Sequence, residues 1–122
     1  MLTATPLSLL LAAAAAIQAT SFLYVSSYNG KVTTLDLNGA RSTSGRAVGT
    51  VPLLKAISST DGCAESPSWL TLDRAKSTLF CIDEGLTSQN GSLSSFKTNA
   101  DGSLTWLDKV GTLGGPVSGV LY

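Results

Sequence analysis

In 122 residues the chain has no histidine, two cysteines and one methionine, and its eight basic side chains are offset by eight acidic ones. The missing histidine removes the commonest general base and the commonest nitrogen ligand for metals. Two cysteines cannot complete a structural zinc site without it. Nothing else in the sequence calls for a metal or a cofactor. Zero net charge, with no basic cluster, excludes a phosphate-backbone partner, so no nucleic acid is expected. The densest basic grouping, Arg41 to Arg46, holds two charges diluted by Ser, Thr and Gly. It reads as a polar connection.

Other motifs are lacking too. Ser58-Ser59-Thr60-Asp61 has hydroxyls, but no histidine or Gly-x-Ser-x-Gly elbow accompanies it. It is expected to belong to a loop over 58–66. Gly111 to Gly115 is followed by neither lysine nor a helix pattern, so it is no phosphate cradle. Long apolar runs are scarce. The longest, Leu7 to Ile17, is broken only by Ser8. Its length suits the core of an export signal and is too short to span a bilayer. Small residues follow, and cleavage is expected after Ala19. Residues 1–19 are thus expected to be a signal peptide, giving a secreted, extracellular protein with no membrane attachment after its removal.

Two further features fit export. Asn90-Gly91-Ser92 is an N-glycosylation sequon. Cys63 and Cys81 form an even pair, which an oxidising compartment could join, closing a loop worth about 3 kcal/mol. Equally, Cys81 could be a small buried residue in an apolar strand. The sequence leaves both readings open.

What is abundant is strand and turn chemistry. Ser21 to Ser27 reads as a strand, Asn29-Gly30 as a hairpin turn, and Lys31 to Leu37 as the partner strand. Ala47 to Ile57 reads as a third strand, which Pro52 confines to an edge or a bulge. Four more stretches follow in a row: Ser68–Asp73, Thr78–Glu84, Ser92–Thr98 and Leu104–Val110. Part of this run recurs upstream. Leu23-Tyr24 matches Leu79-Phe80, and the stretch from Gly30 to Leu35 matches that from Gly91 to Phe96.

A recurring four-stranded unit marks a propeller blade. In Ser68–Asp73, Leu70 and Leu72 lie opposite Trp69 and Thr71. In Thr78–Glu84, Leu79 and Cys81 lie opposite Phe80 and Ile82. Both faces are apolar, so these strands are expected between two neighbouring sheets. Trp69 and Trp106 are expected in core or inter-blade packing. The expected organisation is an incomplete first blade (20–57), a second blade (66–112) and the start of a third (116–122). The first blade's missing strand would come from the far end of the chain. Blades without neighbours expose apolar faces and open edges, so the isolated piece is expected to self-associate.

These segments resemble a known family. Leu23-Tyr-Val-Ser-Ser-Tyr28, Ser66-Pro-Ser-Trp-Leu-Thr-Leu72, Leu79-Phe-Cys-Ile-Asp-Glu-Gly85, Gly91-Ser-Leu-Ser-Ser-Phe96 and Gly114-Gly-Pro116 look like the 6-phosphogluconolactonase and carboxymuconate-cyclase-like seven-bladed β-propellers, in their secreted fungal form. The resemblance implies an all-β ring, of which this chain holds about the first two blades, as an N-terminal fragment. It implies lactone hydrolysis or cycloisomerisation, on a small-molecule lactone, with a carbohydrate- or protein-binding propeller as the alternative. It implies catalytic groups in later blades, so no catalytic residue is assigned here. Glu84 matches an acidic position of the family, at the channel mouth, where it would contact ligand or act as a base. Tyr28 holds the equivalent place in the first unit. The structural alternatives are strand caps made by Asp83 and Glu84, and a rim aromatic with a wet hydroxyl for Tyr28.

Overall fold

A computed structural model of the protein describes residues 20–38 and 54–122. The signal-like segment, the Arg41 to Arg46 connection and the stretch 47–53 with Pro52 lie outside the described residues. The described chain contains seven strands: β1 (Phe22–Ser27), β2 (Lys31–Asp36), β3 (Lys55–Thr60), β4 (Pro67–Asp73), β5 (Thr78–Asp83), β6 (Ser92–Thr98) and β7 (Leu104–Gly111). They form two antiparallel sheets, β1-β2-β3 and β4-β5-β6-β7. No helix among the described residues is long and apolar enough to cross a membrane.

Turn chemistry sets the first hairpin. Gly30 adopts φ +81°, which costs glycine little, and its N–H donates to the Ser27 carbonyl at 3.0 Å. Asn29 Oδ1 accepts from the Lys31 N–H at 3.1 Å. Ser27 then pairs with Lys31 and Phe22 with Asp36.

Side-chain alternation builds the core. Val32 and Thr34 point one way from β2, and both are buried. Leu79 and Cys81 of β5 and Ser94 and Phe96 of β6 point back at them, and each is at most 1% exposed. Tyr24, Leu70 and Leu104 pack around that cluster. The two sheets are thus stacked by one face each, as neighbouring blades are.

The opposite faces are far less covered. Leu23 and Val25 of β1 are 42% and 40% exposed. On β4, Trp69 is 45% exposed, although Ile82 beside it is buried. The expected two-sided enclosure is therefore half present: each sheet has one covered face.

Two expectations change. Ser58, Ser59 and Thr60 belong to β3, not to a loop, because they pair with Thr34, Thr33 and Val32. Of the two settings expected for Trp69 and Trp106, the core is not the one they occupy: Trp69 is 45% and Trp106 53% exposed, the latter on the outermost strand β7. Val117 to Tyr122 forms no strand. That segment runs over the outer face of the second sheet, where the Gly119 carbonyl accepts from Trp69 Nε1 at 3.0 Å and from Thr71 Oγ1 at 3.1 Å.

Candidate functional site

Strand direction gathers the site. Ser26 pairs with Val32 and Val32 with Thr60, so β1 ends, β2 begins and β3 ends together. Pro67 pairs with Asp83, Asp83 with Ser92 and Ser92 with Gly111, so β4 and β6 begin where β5 and β7 end. The connection 61–66 joins the two sets. One end of the pair of sheets therefore carries the turn 28–30, the connection 61–66, the loop 84–91 and the exit 112–116.

At this end Tyr28 and Glu84 meet. The Tyr28 hydroxyl donates to Glu84 Oε1 at 2.7 Å, across 56 residues and from one sheet to the other. Tyr28 is 61% exposed. Its hydrogen bond to Glu84 pushes the phenol above its ordinary value; slight desolvation and the carboxylate's charge push the same way. Glu84 is held by its backbone, its N–H donating to the Ser66 carbonyl at 3.0 Å and its carbonyl accepting from the Gly115 N–H at 3.1 Å. Its side chain is left to reach Tyr28 and to offer its second oxygen to another donor.

Asp83 behaves differently from its neighbour. It is 6% exposed. Its Oδ1 accepts from the Ser66 N–H at 2.9 Å and the Gly85 N–H at 3.3 Å, and its Oδ2 accepts from the Ser92 hydroxyl at 3.3 Å. A carboxylate enclosed by three donors organises loops. The cap expected of both acids is thus carried by Asp83, while Glu84 faces the neighbouring sheet.

Cys63 and Cys81 are joined, with Cα atoms 5.8 Å apart, and no free cysteine remains. The bond ties the connection 61–66 to the buried face of β5. It stands directly before Ala64, whose φ of +85° is strained for a residue with a Cβ. The Ala64 carbonyl lies against Gly30, so connection and hairpin turn are packed together. Glu65 extends from the connection to accept from the Thr87 hydroxyl, and Lys31 approaches Asp61 at 3.9 Å. A shallow polar cleft over this end is lined by Glu65, Thr87, Asn90 and Lys109 among others. Among the described residues no group of acids and cysteines is placed to hold a metal.

Sequence reasoning named Tyr28, Glu84, Cys63, Cys81 and Asn90, and all five lie at or beside this end. It did not find the Glu65–Thr87 contact or the bond from Trp69 to Gly119. Neither leaves a sequence signal, since each depends on how separate loops meet.

Two stacked antiparallel sheets, of three and four strands among the described residues, with polar loops gathered at one end, define a β-propeller segment. The sequence model of the family described as "Lactonase, 7-bladed beta-propeller" matches residues 22–121, and the chain belongs to that family. Comparison with curated proteins and with solved structures returned no match.

Proposed function

We propose that these two blades form part of the ligand mouth of a propeller that hydrolyses a small lactone, with Tyr28 and Glu84 as polar contacts to the substrate. The observation that carries this reading is the 2.7 Å bond between Tyr28 and Glu84. It joins equivalent positions of adjacent blades of a lactonase-family chain, at the end where the loops converge. A carboxylate fixed at its backbone and oriented by a phenol suits two tasks. It accepts a hydrogen bond from a substrate hydroxyl, or it takes a proton from the water that attacks the lactone carbonyl. The oxyanion that then develops needs donors. In this reading those donors come from blades beyond the two described. The reading includes two consequences: the 122-residue chain is the opening part of the ring, and it does not turn over lactone by itself.

The test is steady-state lactone hydrolysis by the protein carrying all its blades, wild type against Glu84→Gln and Tyr28→Phe. Loss of a substrate hydrogen bond to a charged group lowers kcat/KM by about 10- to 100-fold, and the melting temperature stays close to wild type because both side chains are solvent-facing. Unchanged kcat/KM in both variants overturns the assignment. Hydrolysis by the 122-residue chain above a Glu84→Gln control overturns the claim that other blades are needed.

A further inference from the structure

The sequon Asn90-Gly91-Ser92 plays no part in the lactone reading, and its geometry is unusual for a modification site. Asn90 is exposed in the β5–β6 loop, whereas Gly91 and Ser92 are buried. The Ser92 hydroxyl donates to the buried Asp83 carboxylate at 3.3 Å. The Gly91 carbonyl accepts from the Thr112 N–H at 2.9 Å. Ser92 is paired on both sides, with Asp83 and with Gly111. An acceptor sequence is defined by the hydroxyl two residues after the asparagine, so a transferase must read that hydroxyl. In the folded chain it is buried, bonded and fixed at the first residue of the inner strand β6.

We propose that Asn90 carries an N-linked glycan and that it is acceptor only before the β5–β6 hairpin forms. In the step, Asn90 Nδ2 attacks C1 of the first sugar of a lipid-linked pyrophosphate oligosaccharide. The C1–O bond to the pyrophosphate breaks, Nδ2 loses one proton, and the lipid pyrophosphate leaves. No electrons are exchanged. Once attached, the glycan is compatible with the fold, because the Asn90 side chain faces solvent. Asn90 lines the polar cleft over the loop-bearing end, so the glycan stands on the same end of the blades as Tyr28 and Glu84. The closing of the hairpin and of the Cys63–Cys81 bond, nine residues before Asn90, sets the time available for transfer.

The experiment has two arms. The full chain is expressed in eukaryotic secretory cells, and the peptide containing residue 90 is released by an amidase in heavy-oxygen water. The expected result is conversion of Asn90 to labelled Asp, with no labelled peptide from Asn90→Gln. In the second arm, unglycosylated chain from bacteria is offered to a purified oligosaccharyltransferase with its lipid-linked donor. Transfer to the folded, oxidised chain is expected to be slower than to the reduced, alkylated chain by about tenfold or more, because only locally opened molecules present Ser92. Ser92→Thr keeps the hydroxyl and is expected to show the same order. An unmodified Asn90 in the cellular product, in wild type and Ser92→Thr alike, overturns the site. Equal transfer to folded and unfolded chain overturns the claim about timing.

Discussion

Asp83 and Glu84 are adjacent carboxylates with opposite environments. Asp83 satisfies three donors, from the connection 61–66, the loop 84–91 and the start of β6, so Asp83→Ala leaves the buried Ser66 N–H and the half-buried Gly85 N–H without an acceptor. A loss of about 3 kcal/mol is expected from urea unfolding; a loss under about 1 kcal/mol would mean that water replaces the carboxylate. Glu84 acts on Tyr28. The folded-state value of the phenol lies above its ordinary one near 10, so the protonated, hydrogen-bonded form is stabilised. That contribution is complete below the ordinary value and disappears as pH rises through the raised one. Phenolate absorbance is expected to show Tyr28 ionising later than a free tyrosine, and in Glu84→Gln to show it moving back toward the ordinary value. Tyr24 is also raised, by burial first and then by Asp101, so the Tyr28→Phe difference spectrum identifies the transition. No change in Glu84→Gln would mean that the pair is broken in solution. The equivalence of Tyr28 and Glu84 was legible in sequence through the internal repeat; their hydrogen bond was not, because it depends on how the two sheets stack. The division of labour between Asp83 and Glu84 was not, because it depends on which carboxylate the Ser66 N–H reaches.

At the scale of strands, alternation decided nearly everything. Val32 and Thr34, Leu79 and Cys81, and Leu70 opposite Trp69 could be assigned to faces from their spacing, and the faces follow. What spacing could not provide was where β3 lies. The apolar stretch ending at Ile57 suggested a strand finishing there. Pairing with β2 extends the strand through Ser58, Ser59 and Thr60, polar residues that the edge of a sheet accepts because one side of it meets water. The covered and open faces predict different mutational costs. Leu79→Ala removes a side chain 1% exposed and is expected to cost about 3 kcal/mol. Leu23→Ala, on the open face, is expected to cost less than about 1 kcal/mol. Both are read from chemical denaturation at low protein concentration. Equal costs would show that the face of β1 bearing Leu23 is covered as well.

For the molecule as a whole, the governing fact is that each sheet has one buried face and one open one. Leu23 and Val25 mark the open side of the first sheet, and Trp69 that of the second. The segment after Pro116 covers only part of the latter, leaving a mostly apolar cleft of about 340 Å³ between it and Phe80, Ile82 and Leu93. In a seven-bladed ring these faces are the seats of further blades. Left open, they favour association between copies. Sedimentation velocity of residues 20–122 over a range of concentrations tests this most directly. A sedimentation coefficient that rises with concentration, and rises less in a Val25→Lys, Trp69→Lys variant, is the expected result. A monomer at every concentration that also unfolds cooperatively would contradict the placement of these sheets as two blades of a larger ring.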